Sequence, residues 1–218
     1  MFKKVASGKM EMSAKRKAQR ELLIEAVERK IERDGFAELR IRELAAEVGI
    51  ALGGVYNLVE DMNQLILLVS ERTLIRMNEA LTASVHEAVQ PIDKLCAVAV
   101  TYCRFARKNL NLWRALFEYR IAEGSDLPDW QGNAQFAAFR HVAGPLAQLV
   151  PDVDKGTVDL VARTFFAAVH GVVAIGLEGK LLAVPVAALE RQVVLLVRAS
   201  CAGLPGVLGE EAILEKSR

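Results

Sequence analysis

Residues 39–65 have the sequence LRIRELAAEVGIALGGVYNLVEDMNQL, and this stretch decides the fold. Its first part places apolar residues at i, i+3, i+4 and i+7, the spacing that puts them on one helical face: Ile41, Leu44, Ala45 and Val48. Gly49 follows, and glycine ends helices because it adopts the left-handed backbone conformation without steric cost. The pattern therefore predicts a short amphipathic helix that ends at Gly49.

A second short helix is predicted over residues 52–59, because Asp61 and Gln64 form the pattern of a capping box that opens a third helix. Gly53 and Gly54 each cost roughly 1 kcal/mol relative to alanine inside a helix. Departures of this kind mark functional sites. Glycine there lets the helix backbone approach another large surface, such as a groove of duplex DNA.

Several positions in and before this stretch form one pattern: Gly35-Phe36, Ile41 to Ala45, Val48 to Ile50, Gly53 to Tyr56, and Leu65. Over roughly residues 15–75 the pattern resembles the DNA-binding domain of the TetR family of bacterial transcriptional regulators. The resemblance implies an all-α protein with an N-terminal three-helix, helix-turn-helix DNA-binding domain and a larger C-terminal helical domain for ligand binding and dimerisation. We predict a basic arm over residues 1–14, flexible because it lacks apolar periodicity, a DNA-binding domain over 15–62 and the C-terminal domain over 63–218.

Candidate DNA contacts divide into two groups. The first group, expected to enter the groove, is Leu52, Gly53, Gly54, Tyr56 and Asn57. The second group, expected to hold phosphates without specifying sequence, is Arg40, Arg42, Lys15, Arg16 and Lys17. A solvated charged surface is the alternative explanation for the basic run. The family pattern is altered in four places, Ala51, Leu58, Val59 and Met62, where a serine, His-Phe and a lysine are usual.

Composition limits the class of protein. The chain has 218 residues, of which 52% are hydrophobic and 25% charged, and this composition is typical of a folded globular protein. The formal net charge is only +1, so a surface that binds nucleic acid must be local. No apolar run has the roughly 20 residues needed to span a bilayer, and the N-terminus lacks a signal peptide's apolar core. We expect no membrane span and a cytoplasmic location.

The C-terminal part shows helical periodicity throughout. We expect the third helix to extend to about Val89, a new helix to begin at Pro91, and a loop over residues 124–132. The last two helices, over 154–178 and from Pro185 to a stop at Gly203-Leu204-Pro205, are strongly apolar. Their surfaces predict a homodimer through a four-helix interface, and completion of the monomer core is the alternative.

Aromatic residues at helical spacing suggest a pocket for a small apolar or aromatic effector, although plain core is their commoner meaning. The candidates are Tyr102, Trp113, Phe117, Phe136, Phe139, Phe166 and His170. Residues 166–171 resemble the Trp-to-His-Gly motif of one TetR C-terminal subfamily, with Phe166 in the tryptophan position. His170 would then offer a polar group to the ligand or the partner subunit, and a core histidine is equally compatible.

No pattern in the sequence indicates catalysis, a metal site or a cofactor. The GxSxG, HExxH, GxxxxGK and GxGxxG motifs are missing, and the three cysteines have no CxxC spacing. Cys96 and Cys103 lie seven apart and are expected to face the core. The predicted function is a ligand-responsive repressor that binds double-stranded operator DNA as a homodimer. The alternative is a small-molecule-binding or protein-interaction module whose head has lost DNA affinity.

Overall fold

The computed structural model describes the backbone of residues 2–85, 88–119, 129–179 and 184–215, and the side chains of residues 14–85, 88–119, 137–179 and 184–208. This part of the chain forms nine α-helices and one 3₁₀ turn at Phe36–Glu38, and it contains no β-strand, as predicted. The helices are α1 Phe2–Asp34, α2 Ile41–Glu47, α3 Leu52–Val55, α4 Met62–Ser84, α5 Pro91–Lys108, α6 Leu110–Glu118, α7 Asp129–Leu149, α8 Lys155–Glu178 and α9 Val186–Glu215.

The chain divides into two compact units. The first unit, called the head below, contains residues 1–73 and 109–126, and the second unit contains residues 74–108 and 127–218. The sequence had suggested one C-terminal domain over 63–218. Helix α6 instead belongs to the head, because Leu112 and Ala115 are almost completely buried in the head's core.

Helix α1 contributes a large part of the head's hydrophobic core. Four of its apolar residues lie at helical spacing and are fully buried: Leu23, Ala26, Val27 and Ile31. The helix ends at Gly35, whose φ of 87° is the left-handed conformation expected there. The sequence predicted a flexible basic arm over residues 1–14, and in the structure α1 begins at Phe2. No proline interrupts residues 2–14, and the lysine, alanine, methionine and glutamate in that segment are good helix formers.

The next two helices form the predicted pair. Helix α2 stops where expected, and Gly49 has the left-handed φ of 69°. Helix α3 is shorter than predicted, because it ends at Val55 instead of Val59. The amides of Asn57 and Leu58 bond three residues back, to Gly54 and Val55, so the backbone tightens into turns after the first helical turn.

The start of α4 confirms the predicted capping box. The Asp61 Oδ1 atom accepts a hydrogen bond from the Gln64 amide at 2.8 Å, and the Gln64 side chain accepts one from the Glu60 amide at 2.9 Å. Asn63 donates to Asp61 Oδ2 at 2.8 Å and accepts from the Tyr119 hydroxyl. Tyr119 follows α6 directly, so this bond joins α6 to the start of α4 within the head. Burial and the nearby Asp61 charge raise the pKa of Tyr119.

The second unit is built from α5, α7, α8, α9 and the C-terminal part of α4. Helices α5 and α9 pack along each other, and α8 packs on both α7 and α9. The cysteines Cys96, Cys103 and Cys201 are buried in this unit, as expected for the first two. Burial raises the pKa of each thiol, that of Cys201 to about 11, so these groups are protonated at neutral pH.

Three boundaries in this unit differ from their predictions. Helix α4 ends at Ser84 instead of Val89, and residues 129–132 of the predicted loop belong to α7, whereas residues 124–128 lie outside the described residues. Helix α9 continues through Pro205 to Glu215. Cys201 and Leu204 are buried on one face of α9, and this packing holds the helix across the proline. The predicted starts of α5 and α8 are confirmed.

Two helices of the described chain are long and apolar enough to cross a membrane by length and composition: α8 and the segment Val186–Leu208 of α9. The sequence had predicted no membrane-spanning segment. The same test is passed by core helices of soluble proteins, so it does not by itself indicate a membrane protein. In the single chain only 22% of each of these two segments is buried.

Candidate nucleic-acid interface and effector site

The residues predicted to enter a DNA groove lie together on one exposed part of the head. Val55 is fully buried and fixes α3 to the head's core. Tyr56 follows at once and is 55% exposed, and Asn57 is also exposed. A buried anchor next to two exposed hydrogen-bonding side chains holds these side chains on a rigid base while leaving their polar atoms accessible.

The glycine pair in α3 leaves open space at the surface. A Cβ atom built on Gly53 would meet no atom within 4 Å, and one on Gly54 would make an ordinary contact with Ile50 at 3.7 Å. Both residues have negative φ angles, so neither turn geometry nor internal packing requires glycine here. A surface outside the chain that approaches the α3 backbone closely would explain both residues.

Three basic residues near the end of α1 are neutralised within the head. Lys30 pairs with Asp34 at 3.1 Å and with Glu43 at 3.3 Å, and these hydrogen bonds raise its pKa. Arg33 also pairs with Asp34, at 2.9 Å, and holds the pKa of that carboxyl at about 2. Arg29 pairs with Glu47 at 2.9 Å. These cations are therefore poor candidates for phosphate contacts.

Other basic residues of the head are unneutralised. Lys15, Lys17, Arg20 and Arg42 form no ion pair with any residue in the described part of the chain. Three of them, Lys15, Lys17 and Arg42, were predicted as phosphate contacts from the sequence. Cations without acidic partners attract phosphates more strongly, because no internal carboxylate competes for them.

The other two predicted phosphate contacts are engaged inside the head. Arg16 donates to the backbone carbonyl of Asn57, and so links α1 to the turn after α3. Arg40 donates to the carbonyls of Ala37 and Leu39, both at 2.9 Å, and closes the 3₁₀ turn. In the protein without DNA, each arginine therefore holds a segment of the backbone in position.

The four positions that depart from the TetR pattern have different consequences. Ala51 provides no side-chain cap for α3, as expected from its methyl group. Val59 is buried in the head's core, and Leu58 and Met62 pack against that core. Leu58 and Met62 therefore place apolar packing where the usual histidine and lysine would offer polar groups, whereas Val59 replaces one apolar residue by another.

In the second unit, four predicted effector residues meet around one face of α8. His170 Nδ1 lies 2.7 Å from the hydroxyl of buried Tyr102 on α5. The Phe166 ring lies 5.6 Å from the His170 ring and 5.9 Å, edge to face, from the Tyr102 ring. Phe139 on α7 contacts a neighbouring position of α8, because the guanidinium of Arg163, three residues before Phe166, lies 5.7 Å from the Phe139 ring centre. We call these five residues, Tyr102, Phe139, Arg163, Phe166 and His170, the α8 cluster.

Sequence reasoning missed Arg163, although its spacing from Phe166 and His170 indicates that it belongs to the same site. It precedes Phe166 by three residues and His170 by seven, so all three share one face of α8. The pocket predicted from the sequence contained only aromatic residues and histidine.

The remaining predicted effector residues do not join this cluster. Trp113 and Phe117 are on α6 in the head, where their ring centres lie 5.4 Å apart. The side chain of Phe136 lies outside the described residues. Among the residues that the structure describes, no group of three histidine, cysteine, aspartate or glutamate side chains is arranged to hold a metal ion.

Comparison with known families and structures connects this geometry to known proteins. Residues 95–199 match the family model described as the C-terminal domain of tetracyclin repressor-like proteins. This match covers most of the second unit, including Tyr102, Phe139, Arg163, Phe166 and His170. A search of curated proteins found no match.

Solved structures share the fold over most of the chain. A protein of unknown function from Rhodococcus sp. RHA1 is 24% identical, with a TM-score of 0.67 over 82% of this chain and 93% of that chain. A TetR-like transcriptional regulator from the same organism is 19% identical, with a TM-score of 0.59 over 85% and 96%. The transcriptional regulator FadR from Bacillus subtilis, solved with stearoyl-CoA, is 16% identical, with a TM-score of 0.62 over 81% and 96%. The chain therefore has the TetR-like fold, and residues 95–199 are similar to the C-terminal domain of tetracyclin repressor-like proteins.

Proposed function

We propose that this protein is a DNA-binding transcriptional regulator of the TetR family, which acts as a homodimer and represses its target until an effector binds. The observation that carries the proposal is in the head. An exposed Tyr56-Asn57 pair follows a short helix with an open glycine surface, in the same unit as four cations that pair with no acid among the described side chains. A groove with phosphate walls complements this combination of features.

Each group has a separate role in the proposed complex. Gly53 and Gly54 let α3 approach base edges, and Tyr56 and Asn57 donate and accept hydrogen bonds there. Arg42 and the basic start of α1 contact phosphates and set the register of the head on the duplex. Arg16 keeps the turn after α3 in place through the Asn57 carbonyl.

The exposed faces of α8 and α9 support a dimer. Each helix carries a stripe of apolar and small residues on its exposed side: Leu160, Ala167 and Ile175 on α8, and Leu195, Ala199, Gly203 and Val207 on α9. Leu160 is 64% and Leu195 is 58% exposed in the single chain. A second copy of the same two helices would bury these stripes in a four-helix interface. Two heads so joined can meet half-sites about 34 Å apart.

The proposed effector site is the α8 cluster. FadR, which has the same fold, was solved with stearoyl-CoA, so this fold accommodates a ligand with a long apolar part. An effector changes DNA binding only if it binds two subunit geometries with different affinities. A difference of a few kcal/mol in its binding free energy is sufficient. The resemblance of residues 166–171 to the Trp-to-His-Gly motif stays a prediction.

The proposed function requires neither a catalysed reaction nor a cofactor, and it places the protein in the cytoplasm with the chromosome. Selection of bound fragments from genomic DNA of the source organism tests it. We expect a palindromic sequence to be enriched by the wild-type protein and lost with the double variant Tyr56→Ala, Arg42→Ala, because each side chain contributes roughly 1–3 kcal/mol to such contacts.

The double variant Arg29→Ala, Arg33→Ala is the matched control, since both arginines lie in the head but pair with its own acids. It should enrich the same palindrome as the wild-type protein. If no sequence is enriched by folded wild-type protein, the head does not bind DNA specifically. The alternative function, a small-molecule-binding or interaction module, would then replace the regulator.

A further inference from the structure

Arg163 stands out in the α8 cluster because it is a charged group beside aromatic rings. Its guanidinium lies over the Phe139 ring of α7, at 5.7 Å from the ring centre, within the range of a cation–π contact. The side chain is also exposed, so a molecule from solvent can reach it. The position is therefore both held by an aromatic surface and accessible.

The positive charge of Arg163 is not neutralised by a carboxylate within the described residues. The nearest candidate on α8 is Asp159, one helical turn earlier, at the spacing that commonly forms an ion pair. Asp159 is instead bonded to Lys155, whose Nζ lies 2.6 Å from Asp159 Oδ2. Arg163 donates no hydrogen bond to any other described residue, so its donors can bind an anion.

The groups next to Arg163 suit the body of an organic molecule. Phe166 is 38% exposed, follows Arg163 by three residues on the same side of α8, and has its ring 5.9 Å from the Tyr102 ring and 5.6 Å from the His170 ring. The Phe139, Phe166 and Tyr102 rings come from three different helices of the second unit. Such a set offers apolar contact to a chain or ring several carbon atoms long.

We propose that the α8 cluster binds an organic carboxylate, with the carboxylate held by the Arg163 guanidinium and an aromatic or acyl body lying against Phe139 and Phe166. A planar guanidinium binds a carboxylate through two parallel hydrogen bonds, which selects anions over neutral molecules of the same shape. This inference rests on the proposed effector site and names the class of effector. Tyr102 and His170 close the inner end of the site through their mutual hydrogen bond.

Direct binding measurements with three probes test the proposal. 4-Phenylbutyrate, 4-phenylbutanol and 4-phenylbutylamine share one body and carry a negative, a neutral and a positive end group at pH 7. Isothermal titration calorimetry of the wild-type protein should give at least about tenfold tighter binding for the carboxylate than for the alcohol, as expected for a hydrogen bond to a charged group. The amine should bind most weakly.

Two variants and a control assign the preference to Arg163. In Arg163→Gln the carboxylate should lose its advantage and bind like the alcohol, whereas Arg163→Lys should keep part of it because the charge remains. Arg191→Gln, an exposed arginine of α9 without an ion pair in the described chain, should bind all three probes like the wild type. Equal binding of the three probes, no saturable binding of phenylbutyrate, or an unchanged preference in Arg163→Gln would each overturn the proposal.

These titrations contain no DNA, so their outcome is separate from that of the proposed function. A protein that selects an operator but shows no preference for the carboxylate would keep the regulator proposal and lose the organic carboxylate. A protein that prefers the carboxylate but selects no DNA would keep the ligand class and lose the regulator. Adding phenylbutyrate to an operator complex then measures whether the two sites are coupled.

Discussion

Asp154 determines where α8 begins. Its Oδ1 accepts a hydrogen bond from the Thr157 amide at 3.1 Å, and its Oδ2 accepts one from the Thr157 hydroxyl at 2.6 Å. These bonds satisfy a backbone donor that a helix start otherwise leaves without a partner. They also lower the pKa of Asp154, because they favour the ionised carboxylate.

The Asp154→Ala substitution should lower the melting temperature by about 2–4 °C at pH 7, the usual consequence of removing a helix cap from a chain of this size. Asp152→Ala is the control, because Asp152 is exposed and makes no side-chain hydrogen bond with the described residues. Thermal unfolding followed by circular dichroism measures both. Equal melting temperatures for the two variants would show that the cap is not what fixes the start of α8.

The stabilisation that the Asp154 cap provides should decrease as the pH falls. A carboxyl whose pKa is lower in the folded than in the unfolded state stabilises the fold above its unfolded pKa. This stabilisation is lost as the pH falls through the folded pKa. The difference in melting temperature between wild type and Asp154→Ala should therefore shrink as the pH falls below about 4.

At the scale of elements, α8 and α9 approach each other most closely at Gly176. A Cβ on this glycine would lie 2.6 Å from Leu189 Cδ1, and Leu189 is itself buried. Gly176→Ala should therefore lower the free energy of unfolding by about 1 kcal/mol, because the overpacking exceeds the gain in helix propensity. Urea unfolding measures the change.

Gly144→Ala in α7 is the matched control for this prediction. A Cβ on Gly144 meets no atom within 4 Å, so the substitution should raise the free energy of unfolding by up to about 1 kcal/mol through helix propensity alone. If both alanine variants were equally stabilised, Leu189 would have moved aside without cost. The close approach of α8 to α9 would then not limit the packing of the second unit.

The element boundaries show what local sequence rules can and cannot predict. Gly35, Gly49, Pro91 and the Asp61 cap act through their own backbone or side chain, so the sequence was sufficient to locate them. Helix α9 continues through Pro205 because one of its faces is buried against residues that are distant in sequence. Rules based on local sequence do not take such packing into account.

The sequence also does not show which of the two cores a given helix packs into. The periodicity of α6 correctly indicated an apolar face, but periodicity does not reveal which core receives that face. Asn111 donates to the Glu32 carbonyl at 2.9 Å, and Tyr119 packs edge to face on Phe36 at 5.6 Å, so both contacts hold α6 in the head. Trp113 and Phe117 were predicted to be close to Tyr102 because this assignment was not visible.

At the scale of the whole molecule, the proposed dimer makes a prediction about mass. Leu195→Glu would place a charge in the proposed interface of α8 and α9, and burial of that charge without a partner is costly. Sedimentation velocity should therefore show a dimer for the wild type and a monomer for the variant. Leu22→Glu is the matched control, because Leu22 is a leucine of α1 that is 52% exposed in the head. A wild-type monomer, or a Leu195→Glu variant that remains a dimer, would contradict the proposed interface.

The central claim is that the head binds duplex DNA through cations that its own acids do not neutralise. Because the whole chain carries a net charge of only +1, this attraction must come from the head's local surface. Arg42 is exposed and without an ion pair in the described chain, whereas Arg33 is bonded to Asp34. We therefore expect replacement of Arg42 to change the salt dependence of DNA binding and replacement of Arg33 to leave it unchanged.

The most direct test is the affinity for the selected DNA sequence, measured by fluorescence anisotropy across a series of salt concentrations. The account predicts that log K falls linearly with log salt, with a slope of about −0.9 for each phosphate neutralised. Arg42→Gln should make this slope shallower by about one, and Arg33→Gln should leave it unchanged. A flat salt dependence of the wild-type protein, or equal slopes for all three proteins, would contradict the account.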